Sequence, residues 1–191
     1  MHFLAPLALL TAITGADALV MQRDTKPFIK VFRDVQAKVA NLDIAFKGWV
    51  KDPAPIVNAT NKLVATIAQS TSTVQGCANL TLNEALSLYS PVSGLKRQVQ
   101  ILVDDINKRK NGLRKARLCH VISMQITYII GKSKVLVGTT ISKVPRGVQN
   151  LVKTKHAQEI FDALARAETA FSADNCKNVK TANVATARNV G

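Results

Sequence analysis

Aromatic side chains make up only 5% of this 191-residue chain: six Phe, two Tyr and one Trp. Any core must therefore be filled mainly by Ala, Val, Leu and Ile, and the 47% hydrophobic share is enough for one. Acids are scarce too. Twelve Asp and Glu face 26 Lys and Arg, a net charge of +14, and Glu84 is the sole acid between Pro53 and Val103. Such a field favours phosphates, anionic headgroups or acidic polysaccharides and says nothing about fold. There are three histidines, and no G-x-S-x-G, H-E-x-x-H or P-loop pattern. Cys119-His120 is a pair without further ligands. His156 falls on an apolar helix side and reads as a hydrogen-bonded core residue, while His120 reads as solvated. The chain is therefore expected to be non-catalytic, with no metal and no cofactor. No apolar run reaches the length of a membrane span.

One uncharged run, Phe3 to Thr14, leads to Ala16-Asp17-Ala18, the small-residue pattern of a secretory cleavage site. Residues 1–18 are read as a signal peptide, 19–172 as the folded domain and 173–191 as a flexible C-terminal tail. No hydrophobic C-terminal stretch suggests a GPI anchor, so the expected location is extracellular or cell-wall associated. Secretion argues against nucleic acid as the partner of the basic residues.

What is present is helical period. Phe28, Val31, Phe32, Val35, Val39, Leu42 and Phe46 recur at steps of three and four, and Gly48 interrupts them. Asp52-Pro53 reads as an N-cap and first-turn proline before a seam of Ile56, Thr60, Leu63, Ile67, Ser70 and Val74. Thr81-Leu82-Asn83-Glu84 has the spacing of a capping box, and Ser90-Pro91 reads as a restart before Val92, Leu95, Val99, Leu102, Ile106 and Leu113. A segment from His120 to Lys143 is apolar over so wide an arc that it should be the most buried helix. A last helix runs from Gln149 to Phe171. Hairpin signals are missing. The expected fold is all-α: an up-down bundle of about five main helices with no sheet.

The segments LTLNEALSLYSPVSGLKRQVQILVDDINKRK (80–110), ARLCHVISMQITYIIGKS (116–133), ISKVPRGV (141–148) and AQEIFDALARAETAF (157–171) together resemble the fungal hydrophobic surface-binding protein A family, which includes cell-wall galactomannoproteins. The resemblance spans residues 21 to 172. It implies a secreted helical bundle that adsorbs to hydrophobic surfaces, some members holding fatty acids in an apolar channel between helices. Two features depart from it. The family is not this basic as a rule, and it carries a glycine after Ala116 where this chain has Arg117.

A bundle poor in large aromatics, with small or polar residues in its seams, can leave a narrow channel, and each methylene buried there contributes about 0.8 kcal/mol. The expected lining is Leu63, Ile67, Val99, Leu102, Ile106, Ile126, Ile129, Val137, Ile160 and Leu164, with hydroxyls or a lysine at the mouth to orient a carboxylate. The expected partner is a fatty acid, another lipid or a hydrophobic surface. The alternative is a basic interaction protein that binds an anionic polysaccharide, membrane or host target through Lys108, Arg109, Lys110, Arg114, Lys115 and Arg117. A helix C-terminus accounts for one or two of these cations, and the surplus marks the patch. The turn that ends this helix is placed at Ala116 to Cys119, ahead of Gly112 as a candidate.

Three cysteines allow at most one internal disulfide. In an up-down bundle, loops two connections apart lie at the same end, so Cys119 pairs with Cys176, and Cys77 stays free or bonds another molecule. Sequons stand at Asn58 and Asn79, the latter in a loop and the better glycosylation candidate.

Overall fold

The computed structural model describes residues 25–152, 155 and 157–179. The signal peptide, His156 and residues 180–191 lie outside the described residues. Seven helices follow in order: α1 (Lys26–Lys47), α2 (Ala54–Gly76), α3 (Leu82–Ser87), α4 (Tyr89–Lys115), α5 (Cys119–Lys143), α6 (Arg146–Val152) and α7 (Gln158–Ala170). No strand occurs among the described residues.

Local chemistry sets most of the helix ends. The Asp52 carboxylate accepts from the amide of Ala54 at 2.9 Å, so it still serves a first-turn amide of α2 although the helix starts a residue later than expected. Thr81 and Glu84 form a complete capping box at the start of α3. The restart expected at Ser90-Pro91 lies earlier: α4 begins at Tyr89, directly after Leu88, and Pro91 falls in a first turn that needs no amide from it. The single last helix is replaced by α6 and α7. Val152, His156 and Ile160 are spaced by four, so on one continuous helix they would drift by about 40° per step. Val152 and Ile160 both line the interior.

Chain neighbours are not always neighbours in space. α1 packs on α2 and α4, α2 on α5, and α7 on both α4 and α5. The five long helices thus close a ring in the order α1, α2, α5, α7, α4. Because direction alternates along the chain, α1, α4 and α7 run one way, and α2 and α5 the other. The pairs α1–α4, α2–α5 and α4–α7 are therefore parallel. α7 separates α4 from α5, although those two are joined by a turn of only three residues.

α5 is not the most buried helix. Seven of its 25 residues are buried, against eight of the 22 in α1. A ring member turns one face inward, so the remainder of α5's wide apolar arc, including Met124, Tyr128 and Val135, stands in solvent.

The tail expected from residue 173 is fastened as far as it is described. Cys176 is buried and disulfide-bonded to Cys119, Asn178 caps the amide of Cys119 through its side-chain oxygen at 3.1 Å, and the amide of Val179 donates to the Arg114 carbonyl.

Candidate functional site

The ring encloses a cavity of about 110 Å³. All ten residues expected to line a channel lie along it: Leu63 and Ile67 from α2, Val99, Leu102 and Ile106 from α4, Ile126, Ile129 and Val137 from α5, and Ile160 and Leu164 from α7. The sequence reading missed the contribution of α1, where Phe32, Val35, Val39, Leu42 and Phe46 form one wall. Their three-and-four spacing was the available signal, and it was as regular as on any other helix. Phe32 and Phe46 are the only aromatic side chains on the lining, so the scarcity of aromatics in the sequence carries through to the interior.

Along α5 the lining runs from Ile122 to Ile141, about 28 Å at the rise of an α-helix. Among the described residues this lining contains no charged side chain. The lysine expected at the mouth is thus not among the lining residues. The polar side chains there are Thr60, Gln125, Ser133 and Thr140. Thr140 donates back to the carbonyl of Leu136 at 2.9 Å. Thr60 Oγ1 and Gln125 Oε1 are buried without a hydrogen-bond partner.

The charges gather outside the cavity, between α1 and α4. Lys47 bridges Asp43 at 2.6 Å and Asp105 at 3.0 Å, and Lys108 meets the second Asp105 oxygen at 2.8 Å. Hydrogen bonds from Lys108 and then Lys47 hold the Asp105 carboxyl down at about 2, while Asp43 and then Asp105 raise the pKa of Lys47. This arrangement changes the reading of the basic cluster. Lys108 is tied to Asp105, Arg109 donates to the carbonyls of Lys47 and Trp49, and Arg114 donates to the carbonyl of Lys177. Three of the six cations therefore hold the fold together, more than the one or two expected. The side chains of Lys110, Lys115 and Arg117 make no hydrogen bond or ion pair among the described residues.

α4 ends at Ala116, and Gly112 stays inside the helix facing the Trp49 ring. The amide of Leu118 donates to the Leu113 carbonyl and that of Arg117 to Arg114. These are the two bonds of a Schellman motif, with buried Leu113 and Leu118 at its apolar contact positions. Arg117 takes the left-handed conformation this motif needs, at φ 62°. That is the position where a glycine is relieved of strain and an arginine is not.

Cys119 and Cys176, 57 positions apart in sequence, are joined at this end of the ring, and Cys77 is free at the other end. Asn79 lies in the loop between α2 and α3, and Asn58 on the exposed side of α2. His120 is exposed, and no cluster of metal-ligating side chains occurs among the described residues.

A closed ring of helices around an apolar cavity invites comparison with known proteins. The profile of hydrophobic surface binding protein A matches residues 25–154. The chain belongs to that family. Within it, cell wall mannoprotein 1 of Aspergillus fumigatus is 34% identical over 114 residues, which cover 58% of this chain and 39% of that protein. Cell wall mannoprotein 1 of Aspergillus flavus is 23% identical over 158 residues, 82% of this chain and 58% of that one. The chain thus matches only part of the length of these mannoproteins. Ligand binding domain 2 of Penicillium marneffei MP1 protein, solved with multiple arachidonic acids, superposes with a TM-score of 0.76 at 20% identity, covering 80% of this chain and 98% of the domain. AFMP4P, solved in complex with palmitic acid, superposes with a TM-score of 0.71 at 18% identity, over 78% of this chain and all of that one. At such identities the two structures establish that this family member shares their fold.

Proposed function

We propose that this protein is a secreted, non-catalytic carrier that holds a long-chain fatty acid or similar single-chain lipid inside its helical ring. The observation that carries this reading is the cavity: some 28 Å long by helix rise, lined by all five long helices and, among the described residues, free of charged side chains. Transfer of acyl methylenes into such a lining contributes about 0.8 kcal/mol each, so a chain of ordinary length suffices for tight binding without a charged anchor. Membership in a family named for binding hydrophobic surfaces, and a fold shared with proteins crystallised with arachidonic and palmitic acids, support the same reading. The volume adds a condition. A cavity of about 110 Å³ is smaller than the roughly 150 Å³ that admits benzene, so an acyl chain is accommodated only as side chains turn aside and the ring widens. Secretion, a cell-wall location like that named for the mannoproteins, and glycosylation at Asn79 ahead of Asn58 belong to this proposal.

The test is native mass spectrometry of protein purified without detergent, followed by lipid extraction. A copurifying fatty acid, or stoichiometric uptake of added palmitic acid, is expected. A protein that stays lipid-free after incubation with fatty acids overturns the reading.

A second role is favoured by the three uncommitted cations. Lys115 and Arg117 stand at the α4–α5 turn, with Lys110 five residues earlier on α4, and such cations suit an anionic cell-wall polymer or membrane. Retention on an anionic polymer that falls steeply with salt, and disappears in the triple Glu variant of these positions, supports it. Unchanged retention in the variant removes it.

A further inference from the structure

This inference rests on the carrier reading above and concerns where in the ring the ligand's polar head lies and in what chemical form. Two oxygens on the otherwise apolar lining are out of keeping with their surroundings. Thr60, 1% exposed, has a hydroxyl with no partner, and Gln125 has a buried side-chain carbonyl with no partner. Each orphaned group costs about 1–3 kcal/mol of desolvation that nothing in the described structure offsets. The hydroxyl of Thr140, on the same lining, returns instead to its own helix.

The two orphans share one level of the ring. α2 begins at Ala54 and α5 at Cys119, so Thr60 and Gln125 each lie in the second turn. The two helices are packed side by side, run parallel and both start at the disulfide end. Their register is fixed at the far end, where the Lys143 ammonium donates to the carbonyls of Gln75 and Cys77. From Gln125 the lining continues along α5 to Ile141, about 24 Å at the helix rise. A bilayer core about 30 Å thick is two acyl chains deep, so this length holds one long chain.

We propose that the ligand's head sits between Thr60 and Gln125, tail toward the C-terminal end of α5, and that it is bound as an uncharged group carrying an O–H. The pattern of need decides the form. Gln125 Oε1 is an acceptor and requires a donor from the ligand, while the Thr60 hydroxyl has a proton to give. A protonated carboxylic acid meets both, its O–H donating to Gln125 and its C=O accepting from Thr60. A fatty alcohol meets them through one oxygen. A carboxylate only accepts, so it leaves the Gln125 oxygen still without a donor, and no described lining residue is a cation to balance its charge. Among the described residues no titratable side chain lies on the lining. At this end Asp43, Lys47, Asp105 and Lys108 pair with one another between α1 and α4, and none of them is on the lining.

The experiment titrates palmitic acid, 1-hexadecanol and methyl palmitate into wild type, Thr60→Val and Gln125→Met. In wild type, acid and alcohol are expected to bind about tenfold more tightly than the ester, which has no O–H to give. In Gln125→Met that preference disappears while ester affinity is unchanged. Thr60→Val weakens the acid and, with its orphan removed, melts no lower than wild type when lipid-free, which shows that it is folded. Raising the pH from about 5 to about 8 weakens the acid in wild type and leaves the alcohol unaffected. Wild-type affinity for palmitic acid in both variants, or acid binding that strengthens as the pH rises, overturns the head-group site while the carrier reading stands. Failure of wild type to bind any of the three overturns the carrier reading itself.

Discussion

Where α4 turns into α5, the ring is closed by a disulfide, a Schellman turn and four linked charges. Where α2 passes through α3 into α4, the closing helix buries none of its six residues and leaves Leu82 and Leu86 exposed, as is Tyr89 at the start of α4. The first end is held by covalent and charged ties that reach across sequence. Arg109 crosses to the end of α1, and Arg114 and Cys119 to the C-terminal segment. The second has no covalent tie and is held by buried Leu80 and Leu88, by the Leu80 amide on the Lys143 carbonyl, and by the Lys143 side chain. Lys143 donates to Gln75 at 2.9 Å and to Cys77 at 2.7 Å, supplying from α5 the cation that α2 lacks in its own last turn. The contrast teaches that one domain can be built with a fixed end and a lightly fastened one, and that the buried polar pair belongs to the fixed end.

The largest effect should come from removing the covalent tie. Cys119→Ser with Cys176→Ser opens a loop of 57 residues, for which chain entropy gives about 4 kcal/mol. Urea unfolding of the oxidised protein and the double variant measures it. At the lighter end, Lys143→Met leaves two α2 carbonyls without their charged donor and should cost about 1.5 kcal/mol in the same assay. Equal losses from the two variants would break the contrast between the ends. The smallest effect has the opposite sign. Arg117→Gly relieves a left-handed arginine and should stabilise by about 1 kcal/mol, read as a higher melting temperature. A fall on that substitution would mean that the Arg117 side chain contributes a contact worth more than the backbone strain.

The helices were legible because their information is local. The three-and-four spacing from Phe28 to Phe46 and the Thr81–Glu84 capping box need only a few neighbouring residues to act. For the same reason the inward-facing residues of α2, α4, α5 and α7 could be named from their seams. The turn lies where the sequence placed it, between Ala116 and Cys119, and without a glycine there Arg117 takes the strained left-handed conformation.

Sequence alone thus determined an all-α chain, its apolar seams and an alternation of direction that sets Cys119 and Cys176 at one end. Ring order was decided only by tertiary structure, because it depends on which seams meet across gaps of 60 residues or more, as between Arg109 and α1. That order made α1 a wall of the cavity, turned part of α5's apolar arc outward and placed α7 between α4 and α5. It also decided the two matters closest to function. Half of the basic cluster is spent on carbonyls and on Asp105, and the Thr60 hydroxyl and the Gln125 side-chain oxygen are buried on the lining without a hydrogen-bond partner. Periodicity fixes the face on which a side chain lies, and only the packed neighbours fix whether its polar atoms find a partner.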